Sequence, residues 1–376
     1  MIPLMKVQMS EAAPAAVSRV LTSGMVGQGP MVDEFEQALR ERIGNPHVAT
    51  VNSGTSGLHL ALRLATDPAG TGQNGDRGEV LTTPLTMVAA NWAILANGLR
   101  PKWVDVDPAT LNVDLDDLAR KITPATRAIL IVHFAGYPVD LARLSGLLDE
   151  AEAVHGFRPA VIEDCAHAWG ATYRGSPLGN HGNIAVYSFQ SVKHFTTGDG
   201  GLMVLPDAEL NERARRLRWF GIDREAPGRG LTRDDIPEWG YKFHMNDINA
   251  SIGLANLAET DEVIRRYRDN AGFYDRELAS ADGVRLTERA PDRQSSFWVY
   301  PLLVSGKDAF IKHMTEAGVM VSQVHERNDQ HTALRPYLSL LPGLEKVVEQ
   351  LVCIPVGRWV SDEDRAHIVD AIEAGW

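Results

Sequence analysis

Three short stretches carry residue types from which chemistry can be built. In VNSGTSGLHLAL an apolar run ends at Asn52, glycines follow at Gly54 and Gly57, and an apolar pattern of helical period begins. A helix that opens there aims unpaired backbone N–H groups at an anion. Hydroxyls on Ser53, Thr55 and Ser56 add donors, so the pattern suits a phosphate. The plainer reading of this stretch alone is a helix cap with Ser53 or Thr55 as the capping residue. In PAVIEDCAHAWGA an apolar strand delivers Glu163 and Asp164 at its carboxyl end, where ligands of open parallel sheets gather. In AVYSFQSVKHFTTGDGGLMV a strand leads through Ser188 to Lys193 and then to Gly198, Gly200 and Gly201, which permit close backbone approach. A lysine between two buried segments loses solvation, and its amine then becomes a nucleophile near neutral pH.

Each piece has a bland counterpart. Glu163 and Asp164 could cap the next segment, His167 could be packed or solvated, and Lys193 could snorkel to the surface. The order of the three pieces changes the balance. A phosphate cradle, a strand-end carboxylate and a buried amine are what pyridoxal phosphate requires for its phosphate, its ring nitrogen and its aldehyde. Asp164 would keep the pyridine nitrogen protonated, since a carboxylate in a partly dry site needs a cationic partner. Ser188 would donate to the same phosphate as Thr55.

The elements that must position these residues are legible as alternation. Apolar runs at His47–Asn52, Val80–Thr83, Lys102–Val106, Ala128–His133, Ala160–Glu163, Ile184–Phe189 and Gly201–Leu205 read as buried strands of a mostly parallel sheet. Helical patterns fall between them at Ser56–Ala65, Thr86–Ala96, Leu115–Lys121, Leu141–Glu152 and Ala208–Trp219. One or two helices are expected from Asn246 to about Ala279, then a strand at Phe297–Val304 and a helix at Lys307–Ala317 in a smaller domain. Exposed loops are expected at Asp67–Gly78 and Ala226–Asp235. With 376 residues, a large domain of residues 1–255 and a small one of 256–376 are the natural division.

Composition narrows the function classes. Hydrophobic residues make up 44% and charged residues 23%, the balance of a soluble globular chain. The net charge of −12 is dispersed and no basic stripe exists, so a nucleic-acid partner is not expected. Two cysteines, Cys165 and Cys353, provide neither a disulfide framework nor zinc-site spacing, which suits a reducing cytoplasm and no metal. No run of about 18 apolar residues and no leader-like N-terminus appears, so neither membrane insertion nor export is expected.

On these residues the sequence resembles the DegT/DnrJ/StrS-type sugar aminotransferases, fold type I pyridoxal-phosphate enzymes related in architecture to aspartate aminotransferase. The likeness spans nearly the whole chain: GMVGQGPMVDEFE, NSGTSGLHLAL, TPLTMVAAN, VDVDPATLNVD, EDCAHAWGA, SFQSVKHFTTGDGG, WFGIDRE, GYKFHMNDINASIGLANL and AGVMVSQVHERND. It implies an α/β fold, a large domain with a mostly parallel sheet and a smaller C-terminal α/β domain. It further implies that Lys193 forms the cofactor Schiff base and shuttles the proton, and that Asp164 pairs with the ring nitrogen. Gly54, Thr55, Ser56 and Ser188 are implied as phosphate ligands, and His167 stands where many relatives have Gln, near the cofactor's phenolic oxygen. Lys242 is implied to reach the phosphate of the neighbouring subunit in a homodimer with shared active sites.

Two departures stand out. Met87 takes the place of a stacked aromatic residue, where a thioether still covers a ring, and Lys242 stands where Asn is frequent. The expected reaction is transfer of an amino group from an amino acid, L-glutamate, to a nucleotide-linked keto sugar, with His325, Arg327 and Asn328 as substrate contacts. Alternatives are a non-catalytic or regulatory relative and a sugar dehydratase. The dehydratase branch carries histidine at the lysine position, so Lys193 favours transamination. A cysteine desulfurase would need a mobile cysteine, which neither Cys165 nor Cys353 suits.

Overall fold

All seven apolar runs of the first two thirds join one sheet in the computed structural model, which describes residues 1–67, 78–224 and 235–376. The strands are β1 (Val48–Val51), β2 (Glu79–Thr82), β3 (Arg100–Trp103), β4 (Thr126–Val132), β5 (Ala160–Asp164), β6 (Ile184–Ser188) and β7 (Gly201–Val204). Their spatial order is β1, β7, β6, β5, β4, β2, β3. Only β7 runs antiparallel to its neighbours, and the rest are parallel. Helices cover both faces, so each strand is buried on both sides and reads as a continuous apolar run.

One face packs the Gly54–Thr66 and Val88–Ala96 helices through Leu58, Leu62 and Ile94 onto Val80, Leu130 and Val186. The other packs the Pro30–Ile43 and Leu141–His155 helices through Phe35, Leu39, Leu144 and Leu148. In register, Asp164 of β5 lies between Val132 of β4 and Val186 of β6, which puts its carboxylate at the carboxyl edge of the sheet's middle.

Two helices, Asp247–Leu257 and Thr260–Glu277, occupy the predicted linking stretch. Beyond them, strands Val284–Leu286, Tyr300–Val304 and Leu351–Ile354 form an antiparallel sheet. Tyr274, Phe310, Ile354 and Ile368 are fully buried in its core. Ile2 returns to this region, bridging to Val319.

Some boundaries differ from the periodicity. The strand expected from Phe297 begins at Tyr300, because Phe297 adopts φ 55° and turns the chain. The helix expected from Thr86 begins at Val88. The loops expected at Asp67–Gly78 and Ala226–Asp235 lie outside the described residues except for Asp67, Gly78 and Asp235. Among the described residues no helix is long and apolar enough to cross a membrane.

A buried ion network ties the N-terminal part to the sheet. Glu36, fully buried on the Pro30–Ile43 helix, accepts from the amide and hydroxyl of Thr50 and from Arg218 and Arg215. Burial alone would raise its pKa, but the two guanidinium groups overcome that and hold it at about 2. Removing one partner strands the other charge in a dry site. Glu36→Gln is therefore expected to cost about 3–5 kcal/mol in denaturant unfolding. Because the folded pKa is depressed from 4.5, the network's contribution is complete above pH 4.5 and drains away as the pH falls toward about 2.

Candidate active site

The Gly54–Thr66 helix starts at the carboxyl end of β1. Its N-cap is Ser53, whose Oγ accepts from the amide of Ser56 at 3.1 Å. The plain cap and the anion site therefore coexist. Ser56 gives its amide to the cap and shares its hydroxyl with Ser53 at 2.9 Å, while the amides of Gly54 and Thr55 have no intrahelical acceptor. Crowding fixes the glycines. A Cβ on Gly54 would lie 2.9 Å from the Cβ of Ser188, and one on Gly201 would lie 2.9 Å from the nitrogen of Gly54. The helix start, β6 and β7 meet only because those side chains are absent, and this brings the Ser188 hydroxyl beside the open amides.

The two acids of β5 diverge because successive strand residues face opposite sides. Glu163 is a structural acid: it bonds His133 Nε2 at 2.9 Å and Asn183 Nδ2 at 2.8 Å. His133, Glu163 and Cys165 hold possible ligand atoms within 4.8 Å of one another. Both ring nitrogens of His133 are already engaged, Nδ1 with the Val139 amide. Asp164 faces the cavity, 4% exposed, and accepts from the amide of Ala166 at 3.0 Å. Burial raises its pKa, with Ala166, Lys193 and His133 pulling the other way.

A cavity of about 410 Å³ opens at this sheet edge, lined among others by Gly54, Thr55, Met87, Asp164, Ser188, Lys193 and His325. The Lys193 amine lies inside, 3.7 Å from the centroid of the Trp298 ring. Burial pushes its pKa from 10.5 down to about 7, against the opposing pull of Asp164. Below that pH the amine is protonated and unreactive, and above it neutral. In cofactor-free protein, labelling of Lys193 by an amine reagent is expected to rise with a midpoint near 7 instead of 10.5, read by peptide mass spectrometry. The unfolded chain keeps this proton up to 10.5, so this group makes folding more favourable as pH rises from about 7 to 10.5.

His167 lies behind the lining, 2% exposed and stacked on Trp298 at 4.0 Å. Its Nε2 is 3.2 Å from His325 Nε2, and its buried Nδ1 has no described partner. Burial holds both imidazoles neutral, with His325 at about 3 and His167 well below its ordinary range.

The other residues singled out from sequence divide. Met87 projects over the cavity half-exposed. Arg327 makes a two-pronged pair with Asp329 at 2.8 and 2.6 Å. Asn328 donates from its side chain to the Thr86 carbonyl and from its amide to the Pro84 carbonyl. These two stay out of the cavity lining, and Asn328 ties down the segment that presents Met87. Lys242 is exposed and also outside that lining, and its carbonyl accepts from Asn52 Nδ2. Residues the sequence did not single out also line the cavity: Met5, Gln190, Trp298 and Val324. Trp298 stood inside an apolar run that read as strand, and the bends at Phe297 and Val324, where φ is positive, carry no glycine that could have marked them.

The profile of the DegT/DnrJ/EryC1/StrS aminotransferase family matches residues 7–373. The chain belongs to that family. Among solved structures similar to this chain, AtS13 from Actinomadura melliaura is 57% identical with TM-score 0.96, over 100% of this chain and 99% of that one. DesV of S. venezuelae, solved with a ketimine intermediate, is 29% identical with TM-score 0.85, over 96% and 93%. A curated relative, the dTDP-4-dehydro-2,3,6-trideoxy-D-glucose 4-aminotransferase of Saccharopolyspora spinosa, is 31% identical over 95% of this chain and 92% of its own.

The chain is thus a DegT-family aminotransferase with the fold type I architecture expected of it, and its family and neighbours imply dependence on pyridoxal or pyridoxamine phosphate. The site fits such a group. It offers a helix N-terminus cleared by Gly54 and Gly201, a dry carboxylate, an amine whose pKa burial lowers to about 7, and a cavity of the volume small-molecule sites have.

Proposed function

We propose that the protein transfers an amino group from an amino acid, L-glutamate, to a nucleotide-linked keto sugar, in amino-sugar biosynthesis for a surface glycan or a secondary metabolite. The observation that carries this reading is the buried Lys193 amine in one cavity with the Asp164 carboxylate and the Gly54–Thr66 helix start. Pyridoxal phosphate, when bound, supplies an aldehyde that takes up the amino group and a conjugated ring that accepts electrons.

In this reading the amides of Gly54 and Thr55, the Ser188 hydroxyl and the Ser56 hydroxyl hold the phosphate. Asp164 would set a negative charge against the ring nitrogen, Met87 would cover the ring, and His167, from behind the lining, would serve the side of its phenolic oxygen. Lys193 takes a proton from the substrate carbon and returns it elsewhere, a general acid and base whose pKa of about 7 suits neutral pH.

His325 is the substrate contact best supported, since it alone of His325, Arg327 and Asn328 lines the cavity. The same proposal includes a homodimer, in which the exposed Lys242 serves the neighbour's phosphate. It also includes a division at residues 1–255 and 256–376, which the separate core around Tyr274 and Phe310 supports. A cytoplasmic setting is supported by the two buried free thiols.

The test is direct. Glutamate added to the cofactor-loaded protein should shift its absorbance from the pyridoxal to the pyridoxamine form. A panel of nucleotide-linked keto sugars should then reverse the shift for one member, with the aminated product identified by mass. No shift with any amino acid would remove the aminotransferase reading of this site.

A further inference from the structure

As the reactive amine, Lys193 would be released and re-engaged in each cycle, and a four-carbon side chain freed into a cavity has many rotamers open to it. The structure surrounds it with a device that limits them. Trp298 Nε1 donates to the carbonyl of Val192 at 2.9 Å, one residue before the lysine. His194 Nε2 lies 2.9 Å from the carbonyl of Ser296, one residue after it. The amine itself lies 3.7 Å from the centroid of the Trp298 ring.

The segment that makes these contacts is itself fastened. Ser296 donates from its amide to the Gly136 carbonyl and from its hydroxyl to the His167 carbonyl, and the Trp298 amide donates to the Ala135 carbonyl. Gly136 sits at φ 89°, where a Cβ would lie 2.4 Å from the Ser296 hydroxyl oxygen, so no side chain fits beneath the segment. Phe297 at φ 55° turns the indole toward the cavity, and His167, stacked at 4.0 Å with 16° between the planes, limits its tilt. His167 is in turn bonded to His325, which lines the cavity from a segment far along the chain.

We propose that Ser296–Trp298 is a positioning clamp for Lys193, in which the indole of Trp298 is the resting surface of the amine whenever that amine is not bonded elsewhere. The inference rests on the reading of Lys193 as the reactive amine. The ring face favours the amine most when it carries the proton it has just accepted, so the clamp keeps the loaded acid within reach of the carbon that receives the proton. Trp298 is a positioning residue, since it acts through the lysine.

Trp298→Leu removes both the ring face and the N–H, while Trp298→Phe keeps a ring and loses only the N–H. In the loaded enzyme with saturating glutamate, Trp298→Leu is expected to slow single-turnover conversion roughly 10- to 100-fold. KM should change little, and the α-deuterium isotope effect should increase as proton transfer becomes limiting. Trp298→Phe should fall between. In cofactor-free protein, an amine reagent should modify Lys193 faster in Trp298→Leu than in the wild type.

Wild-type single-turnover rate and isotope effect in Trp298→Leu, with Lys193 labelled at the wild-type rate, would overturn the clamp. Should the Leu variant fail to fold, wild-type rate, isotope effect and Lys193 labelling in Trp298→Met, which also lacks the ring face, would overturn it equally. A wild-type protein inert toward amino donors would defeat the functional reading alone, because the labelling comparison still decides whether Trp298 holds the amine.

Discussion

Lys193→Ala is expected to lower amino transfer roughly 10⁴-fold, the upper end of what a positioned general acid–base contributes. Two roles disappear with one amine. His167 and His325 do not replace it, because burial lowers their pKa values far below the ordinary range and leaves both imidazoles weak bases. Borohydride treatment of the loaded wild type should add the mass of the reduced cofactor to the peptide containing Lys193, and the variant should show no such addition. The cofactor should still bind without a covalent link, since the helix start at Gly54 and Thr55 and the Ser188 hydroxyl are untouched. A variant that retains substantial single-turnover activity would show that some other group moves the proton.

Asp164→Asn is the second large effect. The substitution keeps size and the acceptor for the Ala166 amide but removes the charge from a site that is 4% exposed. A protonated ring nitrogen would then face a neutral amide in a dry pocket, and loss of one partner of a buried charge pair costs about 3–5 kcal/mol. Expressed on the barrier, that is roughly 10²- to 10³-fold or more in rate. The measurement is the single-turnover rate with glutamate beside the absorbance of the bound cofactor, which should report the deprotonated ring. Glu163→Gln provides the contrast: its partners are His133 and Asn183, so it should affect unfolding more than turnover.

Much of the site was legible because each of its pieces has a local cause. Lys193 stood out as a charge between two apolar runs, Asp164 as an acid at a strand's end, and Gly54 as a break between strand and helix. The sequence also favoured Asp164 over Glu163, through the family likeness; strand alternation alone makes the two acids opposite but does not say which face is which. The HERND segment shows the same limit. His325, Arg327 and Asn328 are near neighbours in sequence, yet one lines the cavity and the other two are drawn to Asp329, Thr86 and Pro84.

Contacts between distant segments were silent. The His167–His325 contact joins positions 158 apart in the chain, and Trp298 reads as one more apolar residue of a strand until Phe297 turns it. By itself the amino-acid order determined the alternating α/β architecture, the seven buried strands, the helix start at Gly54 and the buried position of Lys193, because periodicity, glycine and stranded charge act within a few residues. Only the tertiary structure decided which of the late polar residues reach the cavity and what surrounds the lysine. Those outcomes come from packing and hydrogen bonding between segments far apart in sequence, where no local pattern carries the information.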